Sequence, residues 1–220
     1  SLDWIGTILL LLATTGITFG ITRLSDGGWP VLTAGLMLVP LFVWWEKRTT
    51  DPLVSMEALS HREFMSLNLR TVLLYGALAT MGFFLTIDLI VVRGYGETAA
   101  GLAYVPFVAA IAVLSGPVGK WSDRIGTDLF LRLGPGLVAV SFLYLSLVPP
   151  LDGGSRLADY LITVFPGTLL EGIGMGFTAA PITRAVMGSL PQNRSGIASG
   201  INNTASRLAG VLFLAIAGAV

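Results

Sequence analysis

The amino-acid sequence predicts an all-α membrane protein with about seven transmembrane helices. Only 12% of the 220 residues are charged and the mean hydropathy is +0.79, too apolar for a water-soluble globule of this size. Few charges interrupt seven apolar runs, each about long enough to cross a hydrocarbon core of ~30 Å. They are residues 5–24, 29–45, 69–92, 99–121, 129–148, 161–186 and 197–220. Most of these runs lack the polar stripe of a helix in a soluble bundle, so we expect lipid to be the solvent.

The charge and the rare residue types narrow the function classes further. The formal net charge is +0, so no basic field argues for a nucleic-acid partner. The chain has no cysteine and one histidine, His61, which excludes disulfide frameworks, thiolate metal sites and helical zinc motifs that need two histidines. We therefore expect no bound cofactor.

The first two runs form a helical pair, predicted over residues 1–48. The segment "SDGGWP" between them contains two glycines and a proline, which favour a tight turn. A long, charged connection over residues 49–66 follows, and the remaining five runs form a block over residues 67–220. This connection is the best internal boundary in the chain.

The orientation of the chain follows from its lysines and arginines, because cytoplasmic loops retain positive charge. The alternate loops divide these residues seven to three. The richer set holds Lys47, Arg48, Arg62, Lys120, Arg124, Arg184 and Arg194, and the poorer set holds Arg23, Arg93 and Arg156. We expect a multi-pass protein of the cell membrane, with the N-terminal end of its first helix in the cytoplasm.

The cytoplasmic stretch "GKWSDRIG", residues 119–126, interrupts two apolar runs with a cluster of charges between glycines. Gly126 allows a sharp reversal into the next helix. Asp123 is expected near the N-terminus of that helix, where unpaired N–H groups favour an anion, and Asp128 is expected to be its N-cap. From spacing alone, a positively charged turn with a capping acid explains the stretch as well as a functional motif does.

The pattern of Gly119, Asp123, Arg124 and Gly126 between two spanning helices resembles the loop signature of the major facilitator superfamily of secondary transporters. In that family the motif lies between the second and third helices, and a weaker copy occupies the equivalent place in the second half. This stretch lies between the second and third helices of the five-helix block, as the second copy should. The resemblance implies a conformational role for these four residues.

Other segments resemble, in order, the fourteen-helix drug:proton antiporters of this superfamily. They are "DWIGTILLLL" from Asp3, "WWEKRTTDPLVSMEAL" from Trp44, "GYGETAAGLAYVP" from Gly94, "GIGMGFTAAP" from Gly172 and "SGIASGINNTASRLAG" from Ser195. The resemblance implies a fragment of a major-facilitator-type bundle: the extra helical pair plus the first five helices of the second half. Its partners would be the lipid bilayer, the missing N-terminal half and an amphipathic or cationic small molecule. Its energy source would be the proton gradient.

Ionisable residues inside a membrane are functional candidates, because burying their charge is costly. Glu171 lies near the middle of run 161–186 and shares a helix stripe with Gly167, Gly174 and Thr178. Such a stripe of small residues packs against protein. Two interpretations stay open: Glu171 binds a proton or cation, or it is a structural acid hydrogen-bonded to a neighbouring helix.

Three further residues join the transport candidates. Arg207 and Asn203 share a polar face within the last run, which suits the lining of a cavity in the cytoplasmic half of the membrane. For Arg207 we favour a structural or cavity-shaping role over contact with substrate. Asp88 is nearer the outer end of its run, and we favour an interpretation in which it reaches the outer interface.

Two other function classes compete with a transporter. A seven-helix receptor or photoreceptor is suggested by the helix count alone, but a retinal protein needs a lysine within the membrane, and Lys47 and Lys120 lie at helix ends. An intramembrane enzyme needs a catalytic pair at membrane depth. His61 lies in a loop and Asp88 stands alone among the spanning aspartates. The sequence therefore argues against an enzyme.

Overall fold

The structure, a computed structural model, describes residues 3–50, 52–53, 60–151, 153 and 155–218, and every regular element in them is helical. The α-helices are α1 (Trp4–Thr22), α2 (Trp29–Glu46), α3 (Arg62–Ile87), α4 (Glu97–Leu102), α5 (Val105–Ile125), α6 (Thr127–Leu147), α7 (Arg156–Asp159), α8 (Phe165–Gly188) and α9 (Ser195–Gly218). A π-helical turn, Asp88–Val92, extends α3, and a second, Tyr160–Val164, joins α7 to α8.

Six continuous helical stretches in the described residues are long and apolar enough to cross a membrane. They are Trp4–Thr22, Trp29–Glu46, Arg62–Val92, Glu97–Ile125, Thr127–Leu147 and Arg156–Gly188. They correspond to the first six predicted runs and imply a multi-pass protein in a lipid bilayer. The seventh run forms α9 up to residue 218, but α9 is not among the six, because serines, asparagines and Arg207 lower the hydropathy of its first half. The predicted count of about seven is therefore not confirmed.

The chain divides into two compact units. One comprises Ser1–Thr80 with Val186–Val220, and the other comprises Met81–Ala185. The predicted helical pair lies within the first unit. Residues 51 and 54–59 of the predicted connection lie outside the described residues, and the division at residues 49–66 stays a prediction.

In the first unit, α1 and α2 contact each other through glycines. A Cβ atom on Gly20 would lie 2.5 Å from Leu32 Cα, and one on Gly35 would lie 2.6 Å from the backbone nitrogen of Ile17. Small residues let helix backbones approach this closely in a membrane. The predicted tight turn joins the two helices, with Gly27 in the left-handed region at φ 83°.

Asp3 begins α1 and ties it to the end of α2. Its Oδ1 atom accepts a hydrogen bond of 2.8 Å from the Gly6 N–H, and the indole of Trp45 donates to the same oxygen over 3.0 Å. The bond from Gly6, with a smaller contribution from Trp45, lowers the pKa of the Asp3 carboxyl. The N-terminal end of α1 is therefore fixed against the C-terminal end of α2.

The second unit is built around α8, which has a small-residue surface on each of two faces. A Cβ atom on Gly174 would lie 2.7 Å from the carbonyl oxygen of Gly134 on α6, and one on Gly172 would lie 2.5 Å from the carbonyl oxygen of Phe107 on α5. The predicted small-residue stripe of α8 thus packs against protein. Helices α5 and α6 both approach α8 at backbone distance, and this positions the side chains that α8 carries between them.

The apolar core of the second unit lies at the end of α3, next to the two π-helical turns. Leu89 and Val164, one from each turn, are fully buried, and they cluster with Leu85, Tyr95 and Leu145, which are nearly buried. The irregular helix ends are therefore held in a packed environment.

Candidate functional site

Glu171 lies in the middle of the small-residue surface of α8 and is buried, with 3% of its surface exposed. Its Oε2 atom has no hydrogen-bond partner among the described residues. Tyr104 lies close enough for the charge of Glu171 to act on its hydroxyl, but that hydroxyl donates to the carbonyl oxygen of Gly82 over 2.7 Å. The structure thus places a carboxyl group between helices without the neighbouring donor that a structural acid would have.

The glycine-spaced motif contacts Arg184, which the charge pattern of the sequence assigned only to a positively charged loop. Arg184, near the C-terminal end of α8, donates from Nη1 to the carbonyl oxygen of Gly119 and to Oδ1 of Asp123. A Cβ atom on Gly119 would lie 2.9 Å from Arg184 Nη2, so glycine leaves the space that the guanidinium occupies. The motif and α8 therefore form one ion-paired contact, which we call the Asp123–Arg184 latch.

Two details of the motif differ from the prediction. Asp123 and Arg124 lie in the last turn of α5, which continues to Ile125, and the Asp123 carboxylate is bonded to α8 instead of the start of α6. The N-cap of α6 is Gly126, with φ 105°, and Asp128 lies within the first turn, so the prediction of Asp128 as N-cap is wrong. Gly126 is the single residue between α5 and α6, and it makes the reversal with a positive φ that glycine adopts without steric cost.

A buried ionic cluster lies at the predicted outer end of the second unit. We call it the Arg93 cluster. Arg93 has a side chain only 4% exposed, and it bonds to Asp88 over 2.6 Å, to Asp159 over 3.1 Å and to the hydroxyl of Thr163 over 2.6 Å. The hydroxyl of Tyr95 donates to Asp159 over 2.9 Å. Asp88, whose side chain is 34% exposed, is thus ion-paired with Arg93, and its position at the outer interface stays a prediction.

Two groups of the Arg93 cluster lie outside the spanning stretches and have shifted pKa values. Burial alone would lower the pKa of Arg93, but the hydrogen bond and the charge of Asp88, with those of Asp159, raise it above its ordinary value. Burial, followed by the hydrogen bond to Asp159, raises the pKa of Tyr95 to about 12. Both groups therefore stay protonated and act as donors at neutral pH.

The polar residues predicted on α9 lie in two different environments. Asn203 and Arg207 are exposed in the described chain, and they face each other with 3.4 Å between Arg207 Nε and Asn203 Oδ1. The neighbouring Asn202 instead donates to Asn68 over 3.2 Å and to Thr71 over 2.8 Å, which links α9 to α3. The sequence pattern did not distinguish Asn202 from the other polar residues of this run.

The candidates are distributed over both units. Glu171, Asp88 and the motif belong to the second unit, whereas Asn203 and Arg207 belong to the first. The sequence did indicate that Arg184 is helical, since the predicted run 161–186 includes it in its last turn.

Comparison with known proteins gives the family. The model of the major facilitator superfamily matches residues 4–214. The multidrug resistance protein Stp of Mycobacterium tuberculosis is 28% identical over 224 residues, which cover 99% of this chain and 40% of Stp. The cephamycin export protein CmcT of Amycolatopsis lactamdurans is 28% identical over 98% of this chain and 45% of CmcT. The quinolone resistance protein NorB of Staphylococcus aureus is 26% identical over 98% of this chain and 46% of NorB.

The chain thus spans less than half the length of these relatives, and the family match runs through both compact units and all six candidate spans. The ordered segments and the glycine-spaced motif predict the same family from the sequence alone. This chain belongs to the major facilitator superfamily.

Proposed function

We propose that this chain is part of a proton-coupled exporter of amphipathic or cationic small molecules. It would work by alternating access together with an N-terminal half that the chain itself does not contain. The names of the relatives support export, since they refer to multidrug resistance, cephamycin export and quinolone resistance. The family assignment argues against the alternative of a receptor or photoreceptor.

The observation that carries the proposal is the unpartnered carboxyl group of Glu171. An ionised carboxylate in a membrane costs several kcal/mol unless it is paired, so such a group holds a proton until a cation approaches. Among the described residues no donor reaches Oε2 of Glu171, and the side chain is buried between helices. In the proposed mechanism, a cationic substrate and a proton compete for this one carboxylate, and this competition couples their movements.

The Asp123–Arg184 latch supplies the second part of the mechanism. Arg184 lies thirteen residues beyond Glu171 on the same helix, a distance of ~20 Å along the axis. The side chains of Arg184 and Asp123 are 48% and 62% exposed, and an exposed ion pair contributes only ~0.2–1 kcal/mol. A contact this weak suits a step that must form and break once in each transport cycle. Helix α8 would connect the proton site with the latch.

The experiment replaces Glu171 in the full-length protein and measures export and proton movement together. Inverted membrane vesicles would be energised to an acidic interior, and uptake of a cationic dye would be followed alongside dye-induced proton release. Glu171→Gln keeps the size of the side chain but cannot release a proton, so we expect dye transport and dye-induced proton release to be lost. Glu171→Asp should retain part of both.

The matched control is Glu97→Gln, since Glu97 is an exposed glutamate in the first turn of α4. It should transport at the parental rate. Normal dye transport by Glu171→Gln, with an unchanged dependence on pH, would show that Glu171 is structural and that the coupling acid lies elsewhere.

A further inference from the structure

An open cleft lies at one end of the second unit, beside the Arg93 cluster. Its volume is about 320 Å³, and its walls include Ala99 and Leu102 of α4, Arg156 and Leu157 of α7, and the two tyrosines Tyr95 and Tyr160. Known binding clefts are mostly apolar, hold a few polar groups and measure roughly 300–1,000 Å³. This cleft has the size and the lining of a site for a small amphiphile.

The charge of the cleft is positive. Among the described residues that line it, Arg156 has the only charged side chain, and none of the described acids forms an ion pair with its exposed guanidinium. The nearby carboxylate of Asp159 is taken up by Arg93, by Tyr95 and by the backbone N–H of Leu151. The cleft therefore favours an anionic ligand over a cationic one.

The floor of the cleft is fixed by the Arg93 cluster. The hydroxyl of Tyr95 lies 3.2 Å from the carbonyl oxygen of Arg156 as well as 2.9 Å from Asp159, and this holds the start of α7 in place. Tyr160 makes an edge-to-face contact with Phe165, with 6.1 Å between ring centroids. These contacts preform the cleft, so a ligand would not have to order it.

The cleft lies where two of the candidate spanning stretches begin, which places it near the expected boundary between membrane and water. Arg156 is the first residue of the spanning stretch Arg156–Gly188, and Ala99 lies two residues into Glu97–Ile125. The apolar rims of the cleft are open, since Leu102 is 61% exposed and Leu157 is 65% exposed. Tyrosines at this level are typical of membrane interfaces. If the spanning stretch enters the bilayer at Arg156, this side chain is within reach of lipid headgroups, and the exposed leucines face the start of the acyl chains.

We propose that this cleft is a binding site for an anionic phospholipid, whose phosphate contacts Arg156 and whose acyl chain lies between Leu102 and Leu157. The proposal needs only a membrane-embedded chain. It does not depend on Glu171 or on proton coupling.

The test uses the full-length protein in vesicles of phosphatidylcholine that contain a trace of phosphatidylglycerol with a photoactivatable acyl chain. After illumination, mass spectrometry of the peptides measures the label on α4 and α7. Arg156→Gln should lower labelling by the phosphatidylglycerol probe about fivefold, as the loss of one interfacial cation predicts. It should leave labelling by a phosphatidylcholine probe unchanged. Ala99→Phe fills the cleft and should lower labelling by both probes.

Arg23→Gln is the matched control, since Arg23 is an exposed arginine at the same predicted side of the membrane but on the other unit. It should label as the parent does, and a cooperative thermal unfolding transition of each purified variant verifies that the protein is folded. Equal phosphatidylglycerol labelling of the parent and Arg156→Gln would overturn the proposal. So would equal labelling of the parent by the two probes, or loss of the label when a transported dye is added, which would make the cleft a substrate site.

Discussion

Replacing Arg93 with glutamine should destabilise the second unit strongly, because two acids depend on this one cation. Asp88 and Asp159 both bond to the Arg93 side chain, which is 4% exposed. Removing one partner of a buried ion pair leaves an uncompensated charge and costs about 3–5 kcal/mol. We therefore expect Arg93→Gln to lower the free energy of unfolding by about this amount.

Asp159→Asn should cost less, because Arg93 keeps its bond to Asp88 over 2.6 Å and the amide oxygen still accepts from Tyr95. Losing charge-assisted hydrogen bonds costs about 1.5–3 kcal/mol. The double variant should cost clearly less than the sum of the two single losses, since the neutral amide that replaces the Asp159 carboxylate no longer needs a cation.

The measurement is equilibrium unfolding of purified protein in mixed micelles as the fraction of denaturing detergent rises. The control is Arg23→Gln, whose pair with Asp26 is 4.0 Å long and exposed, and which should cost less than about 1 kcal/mol. If Arg93→Gln cost no more than this control, or if the two cluster variants were additive, Arg93 would not hold the two acids in the way the distances imply.

Three further predictions follow from other contacts. Asp123→Asn and Arg184→Gln should each lower the free energy of unfolding by less than about 1 kcal/mol, and the two variants should reduce dye export by similar amounts. Normal export by either variant would leave the latch without a role in transport. Because the pKa of Tyr95 is higher in the folded protein, its contribution to stability is complete at pH values below the ordinary tyrosine pKa of 10.0. This contribution is lost as the pH rises toward about 12. Tyr95→Phe should therefore flatten the fall in thermal stability across that range, and an unchanged fall would remove Tyr95 as its source. Single cysteines in this cysteine-free chain should react with an impermeant reagent from outside at Ser25→Cys and from the cytoplasm at Lys120→Cys, and the reverse pattern would invert the orientation.

Most of the helical framework could be predicted from hydropathy, because a helix that crosses lipid needs a long apolar run wherever it packs. Six of the seven predicted runs correspond to candidate spans in the described residues. The last helix shows the limit of this signal. Its polar residues have two different roles. Asn202 packs against α3, whereas the next residue, Asn203, is exposed. Sequence alone could place Asn202 and Asn203 on α9 but could not show which of them would contact α3.

The charged contacts were harder to predict, because they join residues far apart in the chain. Asp123 and Arg184 are separated by 61 positions, and Arg93 and Asp159 by 66. The distribution of lysines and arginines among the loops assigned Arg93 and Arg184 to a side of the membrane, but it did not indicate which acid each of them would contact. Their partners depend on which helix ends are neighbours, and this is a property of the packing.

Two π-helical turns, Asp88–Val92 and Tyr160–Val164, lie beside the Arg93 cluster. The N–H of Arg93 bonds to the carbonyl of Asp88, and that of Phe165 bonds to the carbonyl of Tyr160, so each turn contains one residue more than an α-helical turn would. Each residue of an α-helix adds about 100° of rotation and ~1.5 Å of rise. Deleting the extra residue from either turn would therefore restore an α-helical turn that rotates the chain by nearly the same angle, and the residues on both sides would keep their faces. A homologous chain with a single-residue gap between positions 88 and 92 should still direct its arginine to the side that Arg93 occupies. The acid that corresponds to Asp159 should then be retained.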